Sequence, residues 1–443
     1  MQSVPLKYRA FKAFGWVSGG FVLAQMIRLG GNLILTRLLF PEVFGLMAIV
    51  YVLMVGMALF SDMGIKQSII QNKRGDEMIF LNTAWVVQIV RGVLICLVVL
   101  LLAYALPWFV ESGWVADGSV YADPLLPSIL AVFSLTALIQ GFESTKVAVA
   151  QRHVQLKRVT QIELWSQAVA LLVMVIWAMV YHSVWALVAG SLVSMLLRTI
   201  LSHTWLLGPM NRISWDMQCF KDIFHFGKWV FLLSIIGFFA VNGDRVMLGG
   251  LLSPSVLGLY AIAFLIFSSV QMLYNTILNR VVFPAFSEIA RESSDKVAHT
   301  HGRFQLIADL FLFSTAILLF MEGDAIIHML YDDRYSAAGS MLSILGLGLI
   351  GARYGVVEQL WLATATMQPL FISLISRLIF LLVGVPLGYD LAGLQGSLIA
   401  IVMSFFAGWP ISFYYKFNHG LINWKYEFIG IPFMMIFMLI KWV

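Results

Sequence analysis

Apolar residues run along this chain in long continuous blocks, and polar residues gather in the short stretches between them. A helix needs about 20 mostly apolar residues to cross roughly 30 Å of hydrocarbon. Blocks of that kind predict spanning helices near 13–36, 43–65, 80–106, 125–149, 159–181, 183–207, 223–250, 256–281, 304–327, 337–363, 368–388, 392–416 and 426–442. Barrel strands alternate apolar with polar and are near ten residues long, so they do not fit this pattern. The pattern predicts an all-α integral membrane protein with about 12–13 transmembrane helices. The final block, ending at Lys441-Trp442-Val443, either spans or lies at the interface.

The stretches between blocks alternate in charge. Lys7, Arg9 and Lys12 precede the first block. Lys66, Lys73 and Arg74, then Lys146, Arg152, Lys157 and Arg158, then Arg212 and Lys221, then Arg280, Arg291, Lys296 and Arg303 occupy the even-numbered loops. The third loop holds Glu111, Asp117 and Asp123, and the ninth holds Glu322, Asp324, Asp332 and Asp333 against Arg334. Lys and Arg accumulate on the cytoplasmic side, so the N-terminus is expected inside. The basic, amphipathic start runs straight into a full-length span, which is expected to stay as an anchor. The loops are short, so the work of the chain is expected within the bilayer or at its faces.

Composition sharpens this reading. The chain is 60% hydrophobic and 12% charged, about half the charge of a soluble protein, too little to cover a water-facing surface. The net charge of +5 sits in the short loops, and nucleic acid is not an expected partner. Cys96 and Cys219 cannot by themselves form a disulfide framework or a metal site. No metal, cofactor or catalytic residue is expected.

The chain also repeats itself. Residues 38–49 and 251–262 are offset by 213 and agree at eight of twelve positions, with Pro41 over Pro254 and Gly45 over Gly258. Trp16 with Trp229, and Leu35 with Leu248, share that offset. Pro and Gly punctuate a tight turn between two helices, and Pro begins the second helix well because it needs no N–H partner there. The offset lays span 1 over span 7 and span 2 over span 8. Six spans separate the copies, so the halves are expected to be parallel repeats enclosing a cavity, with alternating access by rocking. The predicted lobes are 1–210 and 211–417, followed by an extra helix in 418–443.

At these residues a family comes into view. LTRLLFPEVFGLMAI followed by LFSDMGIKQSIIQ, and FGKWVFLLSIIGFFAVNGDRVMLGGLLSPSVLGLYAIAF in the second half, resemble Wzx-type flippases of the polysaccharide transporter family, within the multidrug/oligosaccharidyl-lipid/polysaccharide (MOP) exporter superfamily. The resemblance implies two six-helix lobes in a V, as in MATE-like exporters. It implies export of undecaprenyl-diphosphate-linked oligosaccharide repeat units from the cytoplasmic to the periplasmic leaflet of a bacterial inner membrane. Membrane lipids, H+ or Na+, and a polysaccharide polymerase with its export machinery are the implied partners. This chain shows one helix beyond the twelve-span core where related exporters often have two. The family supplies no universal binding motif, so candidate residues come from this sequence.

A charge in mid-membrane costs about 2.5 kcal/mol or more and persists beside a partner or a watery cavity. Arg suits phosphate through its planar fork of donors. Gln25, Arg28, Asn32 and Thr36 lie at helical spacing on one face of span 1, with Arg28 the leading candidate for the cargo. Arg353, near Gly346, Gly348 and Gly351, and Arg377 are the other mid-span cations; each binds cargo or serves a structural ion pair. Asp244 and Arg245, beside Asn242, are candidates for an outer gate or for ion coupling, as are Asp62 and Glu358. The Asp62–Lys66 and Glu143–Lys146 spacings fit on-helix pairs, and His153 and His182 read as solvated loop residues. No Walker-type phosphate loop is present, so direct ATP use is not expected. A cation-coupled multidrug exporter of the same superfamily, and less so a glycan polymerase or ligase, are the alternatives.

Overall fold

The computed structural model describes residues 6–61, 64–292, 295–364, 366–422 and 424, with 6–15, 17–18, 225–233, 290–292 and 295–296 described as backbone only. Among the described residues the chain is helical and without strands. Eight helical stretches are long and apolar enough to cross a membrane, or nine if one bent pair counts as a span. The protein is an all-α, multi-pass membrane protein. The expected thirteenth span at 426–442, and Asp62, lie outside the described residues.

The chain divides into two compact units, Met1–Ile235 with Leu252–Pro254, and Ile236–Leu251 with Ser255–Val443. The first contains α1 (Leu6–Leu38), α2 (Pro41–Phe60), α3 (Ile65–Gln71), α4 (Met78–Glu111), α5 (Leu126–Phe133), α6 (Leu135–Gly141), α7 (Lys146–Arg152), α8 (Leu156–Tyr181), α9 (Trp185–Thr204) and the start of α10 (Met217–Leu251). The boundary falls inside α10 and not near residue 210. Cys219 and Ile223, on its first turns, are fully buried in a core with Ile65, Ile69, Phe80, Ala84 and Val87, which ties that end of α10 to the first unit.

Several elements depart from uninterrupted spans. The block 43–65 ends as a helix at Phe60, and Gly64 takes a left-handed φ of 59° ahead of the separate helix α3. Glycine adopts that conformation without a Cβ penalty. The block 125–149 is broken: α5 and α6 turn by 58° into α7. Close packing on α4 fixes this segment, because a Cβ on Gly92 would sit 2.7 Å from the Ala137 carbonyl oxygen.

The second unit holds the rest of α10, then α11 (Pro254–Ile277), α12 (Phe283–Glu292), α13 (Asp295–Leu330), α14 (Ala338–Gly346), α15 (Gly348–Gly351), α16 (Gly355–Ala363), α17 (Met367–Phe406) and α18 (Trp409–Asn418). A π-turn at Leu278–Val282 separates α11 from α12. The stretch Met367–Asn418 reads as one run of 52 residues. Its backbone leaves the helical region at Ala392 (φ −145°) and Gly393 (φ 58°), which divides it where two spans are expected. The α14–α16 stretch is the most enclosed of the candidate spans, 78% buried in its most apolar window. Its glycines permit this: Gly346 lies against Leu319, Gly351 against Phe405 and Gly355 against Leu278, close approaches that small residues allow in membranes.

The sequence repeat has a local structural counterpart. Helices α1 and α10 end at Leu38 and Leu251, and α2 and α11 begin at Pro41 and Pro254. All four boundaries keep the offset of 213.

Candidate functional site

In the first unit, Arg28 is exposed, Gln25 and Asn32 are half-buried and Thr36 is buried. The Thr36 hydroxyl donates to the carbonyls of Asn32 (3.0 Å) and Leu33 (3.1 Å) of its own helix. The polar stripe therefore runs from a Thr closed on its backbone to an open guanidinium. Arg28 has no hydrogen-bond or ion-pair partner among the described residues.

The second unit brings together residues from four helices. The Tyr260 hydroxyl of α11 donates to Asp244 Oδ2 of α10, while the other carboxylate oxygen, Oδ1, is buried without a hydrogen-bond partner. Arg377 of α17 interacts electrostatically with Asp244, with Glu358 of α16 and with Tyr260. Its guanidinium lies 4.2 Å from the centre of the Phe405 ring, and its Nε is buried and unpartnered. Neither carboxylate is within ion-pair distance of Arg377 among the described residues. Arg245 does not pair with Asp244; it lies over Phe264 at 4.1 Å and donates to Asn242 Oδ1 at 3.3 Å. The Arg377 guanidinium thus feels two carboxylates and is closed onto neither. In low dielectric such a charge is strongly felt by both.

Arg353 is elsewhere and differently employed. It is 2% exposed, and its Nε and Nη2 donate to Asp309 Oδ1 (3.0 Å) and Oδ2 (2.9 Å) of α13. Gln305 Nε2 donates to the same Asp309 Oδ1 (2.9 Å) and to the Arg353 carbonyl (3.2 Å). The rings of Tyr354, Phe313 and Trp409 surround the guanidinium at 5.6–6.0 Å. This corrects the expectation of a cargo-binding Arg353: the fork is bidentate on a buried carboxylate and presents nothing to a ligand.

Sequence reasoning missed Asp309, Tyr260 and a further intramembrane cation, Arg91 of α4. Arg91 donates to Ser61 Oγ (3.0 Å) and to the Ala58 carbonyl (2.5 Å), closing the end of α2 where helix carbonyls lack partners. A search for every acid and base inside the apolar blocks would have found Asp309 and Arg91. Tyr260 carries no such signal, since a tyrosine in an apolar block reads as core.

Loop charges are also reassigned. Glu143 pairs with Arg198 (2.8 Å) and not with Lys146. Lys146 is buried and donates to the carbonyls of His203 (2.8 Å) and Leu206 (3.3 Å). Asn211 bonds Ser144 and Thr145, and the backbone N–H groups of Arg212 and Asp216 donate to Asn82 and Thr83. His153 is not merely solvated: it bonds Asp76 at 2.8 Å, beside an Arg152–Asp76 bridge of 3.0 Å. Partial burial works to raise the Asp76 carboxyl, but His153 and Arg152 outweigh it and hold it below the ordinary aspartate value. Among the described residues no group of three His, Cys, Asp or Glu could hold a metal ion.

Among the described residues, the charges inside apolar helices are of two kinds, locked at Arg353–Asp309 and open at Arg28. The polysaccharide biosynthesis protein family matches residues 34–340. The chain is 20% identical over 405 residues to the lipopolysaccharide biosynthesis protein WzxC of Escherichia coli strain K12, covering 90% of this chain and 79% of that one. It is 24% identical over 294 residues to the teichuronic acid biosynthesis protein TuaB of Bacillus subtilis strain 168, covering 65% of this chain and 57% of that one. Among solved structures, it is similar to the lipid II flippase MurJ in an inward closed conformation, with a TM-score of 0.71 at 14% identity over 96% of this chain and 92% of that one. An inward-facing multidrug resistance MATE family transporter of the MOP superfamily gives a TM-score of 0.69 at 15% identity over 92% and 98%. These two likenesses show the fold.

Proposed function

This chain belongs to the polysaccharide biosynthesis protein family, and from that premise we propose that it is a flippase for undecaprenyl-diphosphate-linked oligosaccharide repeat units. It moves them from the cytoplasmic to the periplasmic leaflet of the inner membrane, N-terminus inside, by alternating access, and supplies the assembly of a surface polysaccharide. It makes and breaks no covalent bond.

Arg28 carries this reading. An exposed guanidinium on an apolar helix is costly in hydrocarbon, and the cargo's diphosphate is the counter-charge that would relieve the cost through paired N–H donors. Gln25 and Asn32, one turn to either side, offer amides suited to sugar hydroxyls. Arg377 is a second cation for the same headgroup. Asp244 and Glu358 are the carboxylates through which H+ or Na+ would couple to export. A multidrug exporter of hydrophobic cations would gain nothing from an open Arg28.

The test is leaflet sidedness. In cells lacking the gene and any redundant exporter, a tagged lipid-linked oligosaccharide should accumulate in the inner leaflet. Wild-type protein should restore outer-leaflet exposure, Arg28→Lys partly and Arg28→Gln poorly. An unchanged leaflet distribution on deletion, or full rescue by Arg28→Gln, would overturn the proposal.

A further inference from the structure

At the bend between α6 and α7 the first unit gathers a second set of polar side chains. Helix ends leave carbonyls short of partners, and here neighbouring helices supply them. Gln88 Nε2 of α4 donates to the carbonyls of Gln140 (3.1 Å), Gly141 (3.1 Å) and Glu143 (2.9 Å). Trp85 Nε1 of α4 donates to the Phe142 carbonyl at 3.4 Å, and His203 Nε2 of α9 lies 2.8 Å from the same oxygen. The Trp85 ring stands edge-on to Phe142 and to His203, with centres 6.4 and 6.1 Å away.

The backbone of the bend is thus served, but its ion pair is not closed. Arg198 Nε of α9 donates to Glu143 Oε1 at 2.8 Å, its one hydrogen bond among the described residues. Both Nη groups and Glu143 Oε2 keep their bonding capacity, and the two side chains are 32% and 15% exposed. Arg353, by contrast, spends two nitrogens on one carboxylate. Phe142 is 42% exposed, so a bare ring stands beside the open pair.

Glycine contacts fix the height of this pair against Arg28. Gly20 lies against Thr160, and a Cβ on Gly31 would sit 2.8 Å from Leu171, so α1 and α8 run side by side in a single register. Gly190 of α9 lies against Met174 and the Ala170 carbonyl of α8. Down the antiparallel α8–α9 hairpin, Arg198 therefore falls level with Leu164 of α8, and through it with Ala24 of α1. That is about 6 Å along the helix axis from Arg28, toward the start of α1. Glu163 and Gln167 of α8 join the two levels. At 3.6 residues per turn they occupy the sector between the contacts to α1 and those to α9, Glu163 half-buried and Gln167 exposed.

We propose that Trp85, Phe142, Glu143 and Arg198 form a saccharide subsite, which takes sugar residues of the cargo while Arg28 holds the diphosphate; this rests on the flippase reading above. A pyranose carries neighbouring hydroxyls that both donate and accept, so one sugar can bond the open carboxylate oxygen and the open guanidinium nitrogens together. Its C–H face packs on an exposed aromatic ring. Charge selects the sugar over the phosphate: Glu143 and Glu163 outnumber Arg198, so an anion meets net repulsion here. A hydrophobic cation meets the unspent fork of Arg198.

The test titrates purified full-length protein in detergent and reads binding by native mass spectrometry. The probes are undecaprenyl diphosphate without sugar, the same lipid carrying its oligosaccharide, purified from the cells that make it, and tetraphenylphosphonium. The ratio of the first two affinities isolates the sugar. Wild-type protein should bind the glycosylated lipid about tenfold tighter or more, the scale of one charge-assisted hydrogen bond. Arg198→Gln and Phe142→Leu should bring that ratio toward one and leave the bare lipid bound as before. Arg28→Gln should weaken both lipids and keep the ratio. Phe142→Leu removes only a half-exposed ring, so it decides the matter if Arg198→Gln fails to melt like the wild type. A wild-type ratio of one, or a ratio unchanged in Phe142→Leu and in a stable Arg198→Gln, overturns the subsite while binding of both lipids through Arg28 leaves the flippase reading intact. Binding of neither lipid overturns both. Tetraphenylphosphonium bound by the wild type and lost in Glu143→Gln overturns the subsite in favour of a cation site.

Discussion

Removing the negative charge of Asp309 tests how the second unit is held together. In Asp309→Asn the shape survives, but Arg353, 2% exposed, keeps its charge with no counter-ion at 2.9–3.0 Å. Breaking a buried pair by deleting one partner costs about 3–5 kcal/mol, because the remaining charge stays buried and uncompensated. The surrounding rings of Tyr354, Phe313 and Trp409 return part of that through cation–π attraction, which favours the lower end. For a unit of this size, each kcal/mol shifts the melting temperature by about 2–4 °C, so the single variant should melt roughly 6–15 °C lower in detergent. Arg353→Met should lose a similar amount by leaving the carboxylate alone. The double variant Asp309→Leu with Arg353→Met should recover most of the loss, since well-packed apolar groups commonly replace a buried pair at little cost. Thermal melting followed by tryptophan fluorescence gives the full double-mutant cycle. Additive losses, or an Asp309→Asn melting point within a degree of the wild type, would refute the locked pair. An Arg353→Met variant of normal stability that failed only in export would restore Arg353 as a cargo contact.

Tyr260→Phe strips a hydrogen bond from the buried Asp244 and should cost about 1–3 kcal/mol in the same melting assay. Gly396→Ala should abolish folding or lower the melting point sharply, because an added Cβ falls on the Gly388 carbonyl oxygen; overpacking of this kind costs about 1–3 kcal/mol or more. Asn211→Ala unfastens the segment after α9 from Ser144 and Thr145, and hydrogen exchange over 205–216 should quicken while α13 and α14 stay protected. The depressed Asp76 carboxyl stabilises the fold above the ordinary aspartate pKa of about 4 and loses that contribution as pH falls through its lower folded value. Protection of Ile65–Gln71 should therefore weaken on acidification in the wild type and be insensitive to pH there in Asp76→Asn. The effect is small, since Asp76 is half exposed.

How much of this was legible in the sequence depends on what each feature leaves in the pattern. Block lengths marked the spans to within a few residues, and the Pro of the repeat marked the first residue of α2 and of α11, while the matched Gly45 and Gly258 lie inside those helices. Breaks inside blocks were not foreseen: the bend after Gly141 falls at Phe142-Glu143-Ser144-Thr145, mostly polar positions that were read as part of a span, and α6 meets Gly92 of α4 closely just before it. Some single charges in apolar blocks stood out, Arg28, Arg377, Asp244 and Glu358 among them, while Asp309 and Arg91 were passed over. Partnership was not readable. Arg353 and Asp309 are 44 residues apart on different helices, and nothing in their local sequence distinguishes a locked guanidinium from an open one. Lys146 and Glu143 misled for the converse reason: helical spacing suggested each other, while folding gave each a distant partner.

The two copies of the turn motif share their ends but not their chemistry. At the offset of 213, Asp244 falls on Gly31 and Tyr260 on Met47. The acid–phenol contact of the second copy therefore has a bare backbone and a thioether as its counterparts in the first, where Gly31 instead makes room for Leu171. What began as one hairpin used twice has become a specialised pair of parts. A chimera carrying the first hairpin in both places would keep each bend and lose its only buried carboxylate in this register, so the halves can no longer stand in for one another.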